Sequence, residues 1–258
     1  MEHSGDSRAD APRTGAGGPP VSTATDERVD PRVWDAPVAS SEPGDEPDPG
    51  DDISAPGRSR AKRALDLLVV VAALPFACVL GLVIAGLVVA TSGGPALFVH
   101  ERVGLGGRRF GMLKFRTMQP DADDQLRADP ELWQQYVDND FKLPPSMDGR
   151  VTAVGRFLRR SSLDELPQLL NVLRGQMSLV GPRPIVPTEL ECYGKDADAY
   201  LGVKPGLTGA WQVNGRSGVG YPERVDYDKE YVEDWTFWLD VKILVKTPIA
   251  VVTSRGAY

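Results

Sequence analysis

From Leu67 to Ala90 the chain is an apolar run, and no charged residue occurs between Leu67 and Val99. At 1.5 Å per residue a helix over this run can cross a hydrocarbon layer of about 30 Å. It shows no polar face, which a helix on the side of a soluble core would have, so it reads as a membrane anchor. Lys and Arg mark the cytoplasmic side of such an anchor. Here Arg58, Arg60, Lys62 and Arg63 precede it, and Arg102, Arg108, Arg109, Lys114 and Arg116 follow it. Neither end suits the outside. Pro75 removes one helix hydrogen bond and predicts a membrane break there. A re-entrant helix hairpin, dipping into one leaflet and returning, is favoured over a straight span. Carbonyls freed near Val71 would then need a partner from protein or water.

Three regions follow: residues 1–57 as a tail, 58–94 as the anchor and 95–258 as a catalytic domain. Of 36 Asp and Glu and 29 Lys and Arg, the tail holds 13 and 4, which leaves 23 and 25 beyond it. The tail also carries 9 of the 22 prolines, and Trp34 is its one aromatic residue. Such a segment cannot bury enough apolar surface to offset its ordering entropy and is predicted disordered. It has no apolar stretch of the kind a signal peptide needs. Cys78 and Cys192, with two histidines in the chain, give neither a disulfide framework nor zinc-ligand spacing.

Ala96–Val103 and Arg108–Met118 are β-rich runs around a glycine cluster, Gly104 to Gly107, and predict a β-hairpin. No helix pattern follows those glycines, which excludes a dinucleotide loop. The hairpin's basic residues suit anionic headgroups or phosphate binding. Lys114 and Arg116 flank Phe115 and so share one strand face. Residues 119–149 predict short amphipathic helical pieces around Leu126, Trp133, Val137 and Phe141. A basic helix is expected over Val151–Arg160, with Arg150, Arg156, Arg159 and Arg160.

Ser162 and Glu165 have capping-box spacing and Pro167 suits a first turn, which predicts a helix start there. Leu166, Leu169, Leu170 and Leu173 would form its buried stripe. Asp164 and Glu165 then sit where the helix dipole stabilises carboxylates. Taken alone they are capping acids. Arg183, in the stiff loop Gly181-Pro182-Arg183-Pro184, and Arg216, after the turn Lys204 to Gly209, suit bidentate phosphate recognition. Two carboxylates among arginines suggest Mg²⁺ bound together with substrate phosphates. Between Tyr227 and Val252, Trp235, Phe237 and Trp238 suit a membrane interface and Asp240, Lys242 and Lys246 supply a polar face. An interfacial amphipathic helix and ordinary packing on the domain are both open there. The fold class is α+β, mostly helical.

Taken in order, Lys62-Arg63-Ala64-Leu65-Asp66 before the apolar run, Lys114-Phe115-Arg116-Thr117-Met118, Ser162-Leu163-Asp164-Glu165-Leu166-Pro167-Gln168 with Asn171, Ser178 to Pro184, Lys204 to Gly209, Gln212 to Arg216, and Asp240-Val241-Lys242-Ile243 closely resemble the bacterial sugar transferase family. Its members are monotopic phosphoglycosyl transferases acting on polyprenyl phosphate. The resemblance runs from about residue 60 to 252. It implies a UDP-sugar donor bound with Mg²⁺ by Asp164 and Glu165, and attack of Asp164 on the β-phosphorus with release of UMP. The phosphosugar would then pass to polyprenyl (undecaprenyl) phosphate, the first membrane step of exopolysaccharide or surface-glycan assembly. Glu165 would bind metal or handle the acceptor's proton. Lys114, Arg116, Arg183 and Arg216 would meet phosphates, with Gln168 and Asn171 in support. The implied setting is the inner, cytoplasmic membrane with the catalytic domain facing the cytoplasm. The lipid bilayer, a second copy of the chain and downstream glycosyltransferases are the implied partners, and nucleic acid is not one. Relatives often break the membrane helix at Ser-Pro, where this chain has Leu74-Pro75. Larger relatives carry N-terminal spans and an extra domain where this chain has its acidic tail. The rivals are a non-catalytic membrane scaffold that kept the fold, and a multi-span transferase, against which the single apolar run speaks.

Overall fold

A computed structural model describes residues 59–138, 143, 148–215 and 219–253. The tail, with Trp34, and also Phe141 and Arg216 lie outside the described residues. Helix α1, Arg60–Ser92, opens the described chain as one helix of 33 residues. Ser59 caps it by accepting from the Lys62 amide at 3.3 Å, and Gly93, at φ 67°, closes it in the left-handed region open to glycine. The helix continues through Pro75, so no interruption marks the expected break. Packing supplies a reason, because Val70 and Ala77, on either side of the proline, sit in one core cluster.

One stripe of α1 is buried: Lys62, Asp66, Val70, Ala77, Ile84 and Val88. Their spacing keeps them on one helix face. Val70 and Ala77 pack with Phe110, Met112, Leu169, Val172, Met177 and Tyr231, and Ile84 and Val88 with Phe115 and Leu158. The domain therefore lies along the helix from near its start to near its end. The opposite face is bare: Phe76 is 74% and Leu82 76% exposed. By length and composition α1 can cross a membrane.

The charges at the start of α1 act inside the domain. Lys62 Nζ donates to Asp240 Oδ2 at 2.6 Å, to Val180 O at 2.8 Å and to the Tyr231 hydroxyl at 3.1 Å. Arg63 donates to Val172 O at 2.6 Å and Leu173 O at 2.9 Å, the terminal carbonyls of α5 (Gln168–Leu173). Asp66 Oδ1 accepts from Ser178 Oγ at 3.1 Å and Leu179 N at 2.9 Å. Lys62 and Arg63 thus clamp α1 to the domain, a role that their reading as a basic flank does not include.

Strands β1 (Leu97–Val103) and β2 (Arg109–Phe115) form the expected hairpin, antiparallel from Leu97 opposite Phe115 to Val103 opposite Arg109. Helices α2 (Ala122–Ala128) and α3 (Pro130–Asp138) follow, then α4 (Ala153–Ser161). Two expectations fail here. Ser162 makes no capping box. It sits at φ 56° and its amide closes α4 onto Arg159 O and Leu158 O. A 3-10 turn, Leu163–Glu165, follows, and α5 starts only after Pro167. The buried face of α5 is Gln168, Leu169, Asn171 and Val172, while Leu170 is exposed. Leu166, Leu169 and Leu173 of the expected stripe do pack on the core, so the departure is Leu170, while Asn171 and Gln168 share the buried face.

Strand β3 (Ser178–Val180) pairs in parallel with β4 (Gly206–Thr208), Ser178 opposite Gly206 and Val180 opposite Thr208. Between them lie a 3-10 segment, Pro187–Asp196, and α6 (Ala197–Leu201). Helix α7 (Ala210–Asn214) leads to α8 (Glu223–Glu233) and α9 (Phe237–Thr253). The C-terminal stretch is thus two helices. Asp240 leaves the polar face foreseen for it, because burial pairs it with Lys62. Trp238, Val245, Ile249 and Val252 remain exposed. The architecture is α+β and mostly helical, as expected.

Candidate active site

Asp164 and Glu165 share the 3-10 turn between α4 and α5. Asp164 is 8% exposed. Burial pushes its carboxyl up to about 6; Lys114 opposes the rise, Glu165 adds to it and Arg159 opposes it. Glu165 Oε1 accepts from Lys114 Nζ at 3.0 Å and lies 3.6 Å from Arg183 Nη1. A buried nucleophile candidate thus has a neighbouring carboxylate already held by two cations.

The fold fixes each cation separately. Lys114 is set by Asn171, which has no exposed surface. The Asn171 Oδ1 accepts from Leu113 N at 3.0 Å, and Nδ2 donates to Gly111 O at 2.7 Å and Gln176 Oε1 at 2.8 Å. The side-chain amide thus occupies the outer edge of β2 as a neighbouring strand would. This ties α5, and the carboxylate turn before it, to the strand that carries Lys114. Arg183 is set by the clasp between its loop and β4. Gly181 N donates to Thr208 O at 2.9 Å and Gly206 N to Pro182 O at 2.7 Å. A Cβ on Gly181 would meet Lys204 O at 2.5 Å, so this close approach requires glycine.

Arg159 completes the surroundings of Asp164. Its Nε donates to Thr117 Oγ1 at 2.9 Å. Burial lowers its affinity for its proton, and Asp164 acts in the opposite sense. Arg159 has no role in the sequence expectations, although it stands five positions before Asp164 across a helix end. His100 also escapes them, and Arg102 enters them only among the hairpin's basic residues, for which headgroups and phosphate are both open; the alternation of the two on β1 is the signal.

Of the expected phosphate ligands, Lys114 and Arg183 converge on Glu165. Arg116 does not join them. It follows the last residue of β2, and its Nε donates to Pro95 O at 3.0 Å with the guanidinium 5.8 Å from the Phe98 ring centre. Arg216 lies outside the described residues. Gln168 is 2% exposed and its Nε2 has no hydrogen-bond partner among the described residues. A buried amide donor of this kind suits a ligand or an ordered water. Pro75 lies on α1, within the anchor.

Among the described residues no three His, Cys, Asp or Glu side chains gather as a metal cage. Two adjacent carboxylates, one of them already ion-paired, fit Mg²⁺ held jointly with substrate phosphates rather than by protein alone.

A profile of bacterial sugar transferases matches residues 57–254. The chain belongs to the bacterial sugar transferase family. An undecaprenyl-phosphate galactose phosphotransferase of Salmonella typhimurium is 51% identical over 173 residues, 66% of this chain and 36% of that protein. The exopolysaccharide production protein ExoY of Sinorhizobium fredii is 45% identical over 202 residues, 77% of this chain and 88% of that protein. A UDP-glucose:undecaprenyl-phosphate glucose-1-phosphate transferase of Xanthomonas campestris is 42% identical over 207 residues, 77% of this chain and 40% of that protein. This family member thus spans well under half of the Salmonella and Xanthomonas proteins and most of ExoY.

Proposed function

We propose that this protein transfers a sugar 1-phosphate from a UDP-sugar to undecaprenyl phosphate, releasing UMP, as an initiating enzyme of exopolysaccharide or surface-glycan assembly. The observation that carries the reading is the buried Asp164 beside Glu165, with Lys114 and Arg183 on Glu165 and Arg159 next to Asp164. Relatives named for undecaprenyl-phosphate sugar transfer support the acceptor and the reaction class.

In this reading a carboxylate oxygen of Asp164 attacks the β-phosphorus. The bond from that phosphorus to the oxygen bridging the two phosphates breaks, and UMP leaves with the bonding pair. An oxygen of polyprenyl phosphate then attacks the same phosphorus and displaces the Asp164 carboxylate. Covalent catalysis of this kind divides a displacement between two anions into two steps. Lys114, Arg183 and Arg159 offer positive charge to the phosphates in each step, and Glu165 positions the two former. Asp164 and Glu165 would hold Mg²⁺ with the donor, which supplies charge neutralisation on the phosphate oxygens. Gln168, at the start of α5, keeps an amide donor with no partner among the described residues.

The anchor reading follows from where the domain touches α1. Contacts of the domain extend from Lys62 to Val88. A perpendicular span would draw one side of the domain, with Arg116, Arg156, Arg159 and Arg160, into hydrocarbon, where each charge is costly. We therefore place both ends of α1 on the cytoplasmic side of the inner membrane, with its bare apolar face and the exposed side chains of α9 in lipid. Cysteines introduced into residues 1–57 then resist a membrane-impermeant thiol reagent applied to intact cells. Strong labelling would mean a true span.

The direct test is UMP release from a panel of UDP-sugars with undecaprenyl phosphate, which also identifies the sugar. Asp164→Asn abolishes release. Turnover like that of the unchanged protein in that variant would remove Asp164 as nucleophile. No release from any UDP-sugar would favour a membrane scaffold that kept the fold.

A further inference from the structure

On the face of the hairpin that carries Lys114, β1 presents a second donor group. The register sets Phe98 opposite Lys114, His100 opposite Met112 and Arg102 opposite Phe110. Directly opposed side chains share a sheet face, and diagonal neighbours remain within reach of long side chains. His100 is therefore the diagonal neighbour of Lys114, with Arg102 next along the strand.

His100 Nδ1 lies 3.1 Å from Arg102 Nη2. A guanidinium can only donate, so this contact makes Nδ1 the acceptor and leaves the ring proton on Nε2. Burial holds His100 down to about 4, reinforced by Arg102, Lys114 and Arg183, so at neutral pH the ring is an uncharged donor. Arg102 is loosely engaged. Its Nη1 reaches Glu189 Oε2 only at 3.5 Å, and that oxygen already accepts from Val186 N at 2.9 Å. Arg102 Nε is buried with no hydrogen-bond partner among the described residues. Arg183 acts on both His100 and Arg102, which places the group beside the Lys114–Glu165–Arg183 cluster. Glu165 lies on Lys114 and Arg183 and Glu189 on Arg102, but Arg183 and Arg102 are held only at 3.6 and 3.5 Å and Arg102 Nε keeps no partner among the described residues, so the group retains donors for a further anion. Lys114 is the diagonal neighbour of His100 and the partner of Glu165, so it joins the donors along β1 to the carboxylate turn.

We infer that His100 and Arg102 form, with Lys114 and Arg183, a second phosphate subsite that takes the donor phosphate which departs with UMP, next to the phosphate that Asp164 attacks. The inference rests on the transferase reading and adds to it the residues that recognise the leaving group. The same chemistry could receive the phosphate of the polyprenyl acceptor, and the experiment separates the two.

The test uses the full chain in lipid nanodiscs with His100→Phe and Arg102→Met. Arg102→Lys serves as a charge-keeping control should Arg102→Met fold poorly. Binding of UMP and the KM values for the UDP-sugar and for undecaprenyl phosphate are measured. Loss of a hydrogen bond to a charged group predicts UMP binding weakened about tenfold in His100→Phe and at least as much in Arg102→Met. The KM for the UDP-sugar rises and that for undecaprenyl phosphate stays within about twofold, while Arg102→Lys recovers part of the loss. The chain has two histidines, so the His100 ring signals in NMR are identified by their absence from His100→Phe. They move on addition of UMP and not of uridine. Unchanged UMP binding in folded His100→Phe and Arg102 variants overturns the subsite while leaving the transferase reading intact. A rise only in the KM for undecaprenyl phosphate assigns the group to the lipid phosphate and overturns the donor assignment. Failure of the unchanged protein to release UMP from any UDP-sugar removes the transferase reading and this inference with it.

Discussion

Replacing Lys62 with Met removes the ammonium that donates to Asp240, Val180 O and Tyr231 at 2.6, 2.8 and 3.1 Å. Asp240 is 1% exposed, so water cannot take over. What remains for the carboxylate is the Tyr231 hydroxyl at 2.8 Å. Removing one member of a buried ion pair costs roughly 3–5 kcal/mol. Removing both, as Lys62→Met with Asp240→Leu, leaves neither half of the pair unmatched and takes the Asp240 charge away from the buried Asp66, and Tyr231 keeps its bond to Val180 O at 3.3 Å. That double variant should lie within about 1–2 kcal/mol of the unchanged protein. The cycle then shows a coupling of about 2 kcal/mol or more. Thermal unfolding in nanodiscs, followed by tryptophan fluorescence, reads this out. At about 2–4 °C per kcal/mol for a domain of this size, Lys62→Met alone lowers Tm by roughly 10 °C. A Tm within about 2 °C of the unchanged protein, or a double variant as unstable as the two single losses added, would refute the claim that this pair clamps α1 to the domain.

Two further outcomes follow from the site. Asn171→Ala leaves Leu113 N and Gly111 O unpaired at the edge of β2 and costs about 2–4 kcal/mol. Asn171→Asp, which keeps the acceptor but loses the donor, is comparably damaging, and chemical denaturation of both variants checks this. The pH dependence of activity follows from Asp164. Its carboxyl is raised to about 6 by burial, and the charged form is the nucleophile, so kcat/KM for the UDP-sugar falls about tenfold per pH unit below about 6. A profile flat down to pH 4.5 would contradict this assignment.

Local chemistry is legible in the sequence, and chemistry that depends on residues far apart is not. The hairpin was legible because glycines separate two β-rich runs, and the carboxylate pair because Asp164 and Glu165 adjoin. Lys62 and Asp240 are separated by 178 positions, and nothing local distinguishes a buried lysine from a headgroup-binding one. Ser162 shows the opposite limit. Its spacing to Glu165 satisfies a capping box, but the close of α4 takes its backbone into the left-handed region first. Asn171 stands out in the sequence by motif alone. Its work, completing the edge of a strand 58 positions away, is visible only with the sheet in place. Arg116 alternates correctly with Lys114, yet the strand ends between them and its side chain folds onto the hairpin's own base.

The central claim is the acyl phosphate formed on Asp164. Incubating the protein with its UDP-sugar without any lipid acceptor, quenching and digesting it allows the Asp164 peptide to be weighed by mass spectrometry. The account predicts a mass increase equal to the sugar phosphate on Asp164, its absence in Asp164→Asn, and its loss on adding undecaprenyl phosphate. UMP release that needs undecaprenyl phosphate to be present, with no adduct on Asp164, would mean direct transfer between the two substrates and would contradict the account.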